Sequence, residues 1–185
     1  DNSTINAKTM GVQVCAGSLS INAGSAITVT GDAVPKTEND GAIQDGAAIS
    51  IVNRTGYKGL GDVTVTGGKF TAKAGNKAIK AYDWANNTET EFTANKTVAV
   101  SGGTFTSAVK EEYCATGYIP TTNADGTYGV KEGVYVAKVD NVKYETLQAA
   151  INAAKRNATV TMLANTRENV TISTPYLILD LNGFT

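Results

Sequence analysis

The sequence lacks histidine altogether and has only two cysteines and three prolines among its 185 residues. Without an imidazole, the chain has no Ser-His-Asp or Cys-His catalytic pair, and it lacks both the commonest general base and a histidine ligand for zinc. Two cysteines are also too few for a structural zinc site or a disulfide framework. The composition therefore excludes several large classes of enzyme and metalloprotein.

An excess of one charge and long apolar runs are absent as well. The chain has 16 basic and 17 acidic residues and a net charge of -1, so it offers no basic field to a nucleic-acid backbone. No run approaches the roughly 18 consecutive apolar residues of a transmembrane helix. We expect no nucleic-acid partner and no membrane insertion in this segment, and we expect any export signal to lie outside it.

Glycine is plentiful instead, with 19 residues, and glycines occur at matching positions of an internal repeat. Residues 63–71 read VTVTGGKFT, and residues 98–106 repeat the pattern as VAVSGGTFT, about 35 residues later. Residues 27–31, ITVTG, match the start of the same unit when they are aligned with Val63. A repeat of this length is typical of a fold built from stacked, similar units.

A second strand-like segment repeats in step with the first. Residues 48–53 recur at residues 78–83, and residues 19–24 form a further strand and turn. Each copy alternates apolar and small polar residues and breaks at a glycine-rich corner, as a half-buried strand does. These repeats predict a mainly β fold, with a parallel β-helix (solenoid) segment and its closing hairpin over residues 1–133. An antiparallel β-sandwich with glycine-rich turns remains the alternative.

The pattern changes in the last third of the chain. Residues 113–130 hold two short strands around an Asp-Gly turn, which we expect to close the first unit. We predict a second domain over residues 134–185, which begins with a hairpin whose turn is at Asp140 and Asn141. A helix then follows, and strands at residues 159–163, 170–173 and 176–181 are expected to start another β-helix.

The one convincing helix is predicted over residues 146–157. Its apolar stripe starts at Leu147 and continues at the residues three, four and seven positions later, Ala150, Ile151 and Ala154. Thr146 is suited to the N-cap, and Lys155 and Arg156 are expected in the last turn, where positive charge favours the helix dipole. A single apolar stripe indicates a helix docked on one face, and we expect it to cap the first rung of the second β-helix.

Several of these segments resemble a known group of proteins. Residues 98–107, 112–118, 124–128, 144–151 and 179–183 are similar to recurring units of large cell-surface proteins of Gram-positive gut commensals. The resemblance implies right-handed, pectate-lyase-like β-helices in tandem on a wall-anchored stalk. It also implies an extracellular location at the bacterial surface, anchored to the cell wall through regions outside this chain.

The same resemblance implies adhesion or ligand binding as the activity. Some proteins of this type are superantigen-like molecules that bind antibody variable domains, so immunoglobulin is a candidate partner beside other host proteins and glycans. The chain itself is expected to be a monomer. A purely structural stalk spacer is the alternative, and a fragment of a polysaccharide lyase or glycosidase is a further one.

Two aromatic-rich inserts are the best candidates for a binding site. Residues 82–92 contain the single tryptophan, and residues 54–61 form the corresponding insert of the preceding repeat. Tryptophan, tyrosine and arginine are the residues most enriched at binding hot spots. The predicted ligand-binding residues are Arg54, Tyr57, Tyr82, Asp83, Trp84, Asn86 and Asn87. Alternatively, Trp84 or Phe92 packs the insert back onto the strands.

Catalysis and cofactors are not expected. Arg54 is the arginine available to a lyase in the β-helical part, and the carboxylates Asp62, Asp83, Glu89 and Glu91 lie in inserts rather than at matched strand positions. We therefore predict a protein that is not an enzyme.

Two smaller features complete the expectations. The acidic loop at residues 32–46 lacks the spacing of an EF-hand and is interpreted as a solvated loop rather than a calcium site. Cys15, in an alternating run, is expected to be a small buried hydrophobe, and a disulfide with Cys114 is not predicted.

Overall fold

A computed structural model of the chain describes residues 2–34, 43–94 and 97–185. The protein is mainly β, with 44% strand and 6% helix, which confirms the predicted class. The chain divides into two compact units, Asp1–Glu132 and Gly133–Thr185. Within the three described ranges, no helix is both long enough and apolar enough to cross a membrane.

The first unit consists of two sheets, and the chain passes from one to the other repeatedly. Its strands are β1 (Thr4–Ala7), β2 (Val12–Val14), β3 (Gly17–Ile21), β4 (Ala26–Val29), β5 (Ile49–Arg54), β6 (Leu60–Thr71), β7 (Ile79–Ala85), β8 (Thr88–Thr90), β9 (Val98–Phe105), β10 (Tyr118–Thr122) and β11 (Tyr128–Glu132). The first sheet has the order β1-β4-β6-β9-β11-β10, with β3 also beside β6. The second sheet has the order β2-β5-β7-β8.

The repeated sequences pair with one another as parallel strands. In the first sheet Val63 of β6 lies opposite Val98 of β9, and in the second sheet Ile49 of β5 lies opposite Ile79 of β7. The two repeats found in the sequence therefore correspond to real neighbours, because identical alternation puts the same side chains on the buried face. The antiparallel alternative is wrong for these pairs.

One predicted alignment is corrected by the structure. Ile27 in β4 pairs with Phe70, not with Val63, and on the side of β6 away from Val98 the partner of Val63 is Leu19 in β3. Both ends of the long strand β6 thus have separate parallel partners. The error arose because residues 27–31 match the start of the repeat in letters, whereas the burial of alternate side chains sets the register.

The paired glycines also differ from their predicted role as corners. Gly68 and Gly103 lie inside β6 and β9, where the strand register shifts, and their φ angles are 114° and 108°. A Cβ atom at Gly103 would lie 3.0 Å from Cε2 of Phe70. Glycine is required here because the backbone bends within the strand and passes closely over the stacked rings of Phe70 and Phe105, whose centroids are 4.8 Å apart.

The core of the first unit lies between the two sheets. Val63, Val65 and Val100 of one sheet and Ile49 and Ile51 of the other are all fully buried. Complete burial of each such side chain contributes about 1.5–3 kcal/mol. Short alternating strands rich in valine and isoleucine therefore supply the stability that a chain with few large aromatics needs.

Side chains satisfy the part of the β7 edge that β8 leaves unpaired, since β8 pairs only with residues 83–85. The buried Tyr113, in the 3-10 turn Glu111–Tyr113, accepts a hydrogen bond from Ala81 N at 3.0 Å through its hydroxyl and donates one to Ala81 O at 3.2 Å. Ser107 Oγ accepts from Ala78 N at 2.8 Å. The antiparallel pair β10 and β11 completes the first sheet. Unpaired edge groups are thereby satisfied without a further rung.

The second unit consists of one sheet and one helix. Its elements are β12 (Ala137–Val139), β13 (Val142–Tyr144), α1 (Leu147–Ala153), β14 (Thr159–Met162) and β15 (Ile178–Asp180), and the sheet order is β13-β12-β14-β15. The predicted hairpin is confirmed, with Asp140 at φ 52° in its turn. β14 and β15 are parallel.

The helix is shorter than predicted. Thr146 is its N-cap as expected, and Thr146 Oγ1 accepts from Ala149 N at 3.1 Å. The helix ends at Ala153 because Ala154 is extended, with φ -70° and ψ 135°. Lys155 and Arg156 therefore follow the helix and do not lie in its last turn.

A hydrogen-bonded side chain replaces one predicted strand. Residues 170–173 form no strand, because Gln148 Oε1 accepts from Thr171 N at 2.7 Å and Gln148 Nε2 donates to Thr171 O at 3.0 Å. The last strand is also shorter than the predicted 176–181: it covers Ile178–Asp180 and begins after Tyr176, whose φ is 57°. The sequence pattern alone did not reveal that a helix side chain would bind this backbone.

Candidate ligand-binding cleft

An open cleft of about 650 Å³ on the first unit is lined by Arg54, Tyr57, Trp84, Asn86 and Asn87. All of these were predicted to bind ligand. Thr55, Gly56 and Ala85 complete the lining. Its volume lies within the range of about 300–1,000 Å³ that ligand pockets span, and it is widely open to solvent.

The pairing of β5 with β7 places two of the lining residues side by side. Arg54 at the end of β5 lies opposite Trp84 near the end of β7, and neighbouring strands are ~4.8 Å apart. Tyr57 follows in a turn whose backbone bond runs from Tyr57 N to Arg54 O at 3.0 Å. This turn brings the ring of Tyr57 to 5.1 Å from the guanidinium carbon of Arg54. Residues from two successive repeats thus meet at one end of the second sheet.

Trp84 both packs against neighbouring side chains and lines the cleft. Its side chain is half-buried and contacts Tyr82 edge to face, with ring centroids 6.3 Å apart and an interplanar angle of 70°. It packs against a small cluster that consists of Ile43, Val52 and Tyr82. Because strand residues alternate in direction, this cluster lies on the face of the second sheet opposite the main core. The indole is therefore fixed on one side and available on the other.

Asn86 and Asn87 form the tight turn between β7 and β8. Their φ angles are 51° and 56°, and Ala85 pairs with Thr88 directly beside them. Two successive residues with positive φ are the mark of a type I′ hairpin turn, and asparagine tolerates this conformation. Residues 82–92, predicted as an irregular insert, therefore begin with a hairpin. The turn thus places both asparagines in the lining of the cleft.

Tyr82 and Asp83 do not line the cleft, although they were predicted with the others. Tyr82 is 1% exposed, and its hydroxyl donates to Asp45 Oδ2 at 2.8 Å. Burial, reinforced by the Asp45 carboxylate, raises the pKa of Tyr82. Asp83 points to the other face and accepts hydrogen bonds from Asn53 Nδ2 at 3.0 Å and Thr93 N at 3.2 Å. Neither residue is therefore among those that line the cleft.

Sequence reasoning missed the role of Asp45. Its carboxylate accepts from Ser50 Oγ at 2.8 Å and from Ala47 N at 3.0 Å, in addition to Tyr82. The Asp-Gly pair at this point signals a turn, but nothing in the pattern indicates a partner on β7. Asp45 fixes the buried neighbour of Trp84 and so positions the cleft indirectly.

Both cysteines, Cys15 and Cys114, are free thiols and partly buried. Burial raises the pKa of the Cys15 thiol, and the nearby Arg54 partly opposes that effect. Burial also raises the pKa of Cys114 to about 11. Neither thiol is therefore an activated nucleophile.

The candidate carboxylates of an enzyme have structural partners. Asp62 Oδ1 accepts from Thr97 N at 2.9 Å, and Glu89 forms an ion pair with Lys80 at 2.6 Å. Within residues 2–34, 43–94 and 97–185, no three cysteine or acidic side chains converge to hold a metal ion. Residues 35–42 of the acidic loop considered as a calcium site lie outside the described part of the chain.

No family model matches the chain, and searches among curated proteins and solved structures also found no match. The resemblance to commensal surface proteins therefore stays a prediction.

Proposed function

We propose that this chain is a non-catalytic ligand-binding module of a large bacterial cell-surface protein, and that the aromatic cleft is its binding site. The observation that carries the proposal is the convergence of Trp84, Tyr57 and Arg54 on one opening. These three residue types dominate the energy of binding interfaces. Their positions come from two successive repeats, so one rung of the fold would not be sufficient to build the site.

The fold that we propose for the first unit is a right-handed parallel β-helix. Two observations support it: the chain alternates between the two sheets, and β4, β6 and β9 stack in parallel, as do β2, β5 and β7. The phenylalanine pair Phe70 and Phe105 is a ladder of the kind that stacked rungs produce. The hairpin, helix and parallel strands of the second unit fit the capped start of another β-helix.

The proposed location is extracellular, at the cell surface, and the proposed partner is a host protein or a glycan. Immunoglobulin is a candidate through the resemblance to commensal surface proteins. The cleft is open and its two aromatic rings are partly accessible, with Tyr57 45% exposed. A rigid, partly fixed aromatic pair loses little conformational entropy when it binds a ligand.

The test is binding of the whole chain to a panel of immunoglobulins and host glycans by biolayer interferometry. We expect saturable binding that Trp84→Ala abolishes, because removal of the indole deletes the fixed side of the cleft. Tyr176→Ala is the matched control, since Tyr176 is an aromatic residue of the second unit that is 70% exposed. Circular dichroism and thermal melting establish that both variants are folded. If no member of the panel binds, or if Trp84→Ala binds as well as the parent, the proposed site is wrong and a structural spacer is favoured.

A further inference from the structure

We infer that the ligand of this cleft is a saccharide, with the apolar face of one sugar ring stacked on Trp84 and its hydroxyl groups bound by the amides of Asn86 and Asn87. The inference rests on the proposed function, because it chooses between the host protein and the glycan proposed as partners of the same site. Neutral side chains make both kinds of contact, so a neutral sugar is sufficient as ligand.

Trp84 provides a fixed, flat platform for a sugar ring. Its half-buried side chain contacts Tyr82 edge to face, with 6.3 Å between the ring centroids, and it packs against a cluster that also contains Ile43 and Val52. The same side chain lines the cleft. A pyranose ring carries C–H groups on one face, and these groups pack on the electron-rich face of an aromatic ring. Because the indole is already ordered by its neighbours, stacking a sugar on it costs little conformational entropy.

Tyr57 offers a second aromatic surface in the same cleft. It is 45% exposed, and the guanidinium carbon of Arg54 lies 5.1 Å from its ring centroid. This stacking holds the phenol ring in place, so Arg54 positions the tyrosine. Two ordered aromatic side chains in one cleft allow adjoining units of an oligosaccharide to be contacted at once.

The amides of Asn86 and Asn87 supply hydrogen-bonding groups next to Trp84 in the lining. Both asparagines are exposed and line the cleft. Within residues 2–34, 43–94 and 97–185, neither side-chain amide has a hydrogen-bond partner. Each amide has an N–H₂ group that donates and a carbonyl oxygen that accepts, and a sugar hydroxyl can do both. Neighbouring hydroxyl groups of one sugar can therefore bind both ends of an amide.

The extent and composition of the lining favour a sugar over a protein surface. Eight described residues line the cleft, whereas a stable protein interface engages about 20–30 residues on each side. Among these eight, Ala85 has the one purely aliphatic side chain. A protein ligand gains much of its affinity when a large anchor side chain fills a well-packed pocket, and an open cleft with little aliphatic surface provides no such pocket. Aromatic rings beside free amides are instead matched to the C–H face and the hydroxyl groups of a sugar.

The experiment follows Trp84 fluorescence while the whole chain is titrated with neutral oligosaccharides of glucose, galactose, mannose and N-acetylglucosamine. Trp84 is the single tryptophan, so a saturable change in its emission, together with protection from acrylamide quenching, reports a sugar on the indole. We expect at least one of these oligosaccharides to bind in this way. Trp84→Ala should weaken its binding, measured by calorimetry, about tenfold or more. Tyr176→Ala, at an exposed aromatic residue of the second unit, is the control and should bind as the parent does.

The hairpin turn allows the amides to be tested without unfolding the site. Asn86 and Asn87 have positive φ, and glycine adopts this conformation at no steric cost. Asn87→Gly therefore retains the turn, removes one amide and should weaken saccharide binding about two- to tenfold, as expected for the loss of one hydrogen bond. Asn157→Gly is the matched control, because the exposed Asn157 of the second unit also has positive φ, 62°. Unchanged binding by Asn87→Gly and by the equivalent Asn86→Gly would overturn the role of the amides.

The outcomes separate this inference from the proposed function. Binding of an immunoglobulin or another host protein through Trp84, with no saccharide bound, would overturn the ligand class and leave the binding module standing. Saccharide binding that Trp84→Ala leaves intact would overturn both the stacking and the proposed site. If folded protein binds neither sugars nor proteins, both ideas fail.

Discussion

Replacement of Tyr113 by phenylalanine should destabilise the first unit strongly, although it removes a single oxygen atom. The hydroxyl accepts from Ala81 N at 3.0 Å and donates to Ala81 O at 3.2 Å. Tyr113 is only 3% exposed, so water does not readily replace the lost bonds. The variant therefore leaves two backbone groups of β7 without partners while the aromatic ring stays in place.

The size of the effect follows from the cost of unsatisfied buried groups. Each lost partner costs about 1–3 kcal/mol when the remaining group stays buried. Some relaxation of the edge is expected, so we predict a loss of about 2–4 kcal/mol in the free energy of unfolding. That is a large share of the stability of a domain of this size.

The single tryptophan makes the measurement specific. Trp84 belongs to the first unit, so its fluorescence in a guanidinium titration reports the unfolding of that unit. The midpoint should fall while the m value stays constant, since the surface exposed on unfolding is unchanged. Tyr118→Phe, at a half-buried tyrosine of β10, is the control and should change the free energy by less than about 0.5 kcal/mol. A change that small for Tyr113→Phe would refute the idea that this side chain closes the sheet edge.

Three further predictions concern other parts of the chain. Gly103→Ala should reduce the free energy of unfolding of the first unit by roughly 2 kcal/mol or more, because φ is 108° and the new Cβ would crowd Phe70. Gly126→Ala is the control: it lies at a turn with open space around it and should lower the melting temperature by less. Glu168→Gln should reduce hydrogen-exchange protection at Leu147, whose amide donates to Glu168 Oε1 at 2.9 Å. That bond lowers the pKa of Glu168, so its contribution to stability is present above the ordinary glutamate pKa and is lost as the pH falls through the lowered pKa. Protection at Leu147 that does not change on acidification would contradict this prediction. Cys114, with its pKa raised to about 11, should react slowly with iodoacetamide at neutral pH and much faster after denaturation; rapid reaction of the folded protein would show that the thiol is not shielded.

The sequence alone was sufficient for the repeat and for most of the cleft. The runs around Val63 and Val98, and around Ile49 and Ile79, are copies of the same units, and the repeat predicted that such copies stack as neighbours, as they do. The same register then brings Arg54 and Trp84 together. Composition by itself also excludes histidine-dependent chemistry, because the chain has no imidazole.

Two predictions made from local sequence pattern differ from the structure. The paired glycines were expected at corners, but Gly68 and Gly103 bend the interior of long strands because stacked phenylalanine rings occupy the space beneath them. Residues 27–31 had letters similar to the repeat but a different partner. In both cases neighbours in space, which the alternation of apolar residues does not specify, determined the outcome.

The remaining features depend on side chains that reach distant backbone. Tyr113 satisfies Ala81, Gln148 binds Thr171, and the Glu168 carboxylate accepts from the amide of Leu147 at the start of the helix. No spacing rule connects such pairs, because each requires two elements to be packed together before the hydrogen bond can form. Local periodicity thus determined the strands and their faces, whereas the tertiary structure decided how their ends and edges are satisfied, since a buried polar group takes whichever partner the packed fold brings within reach.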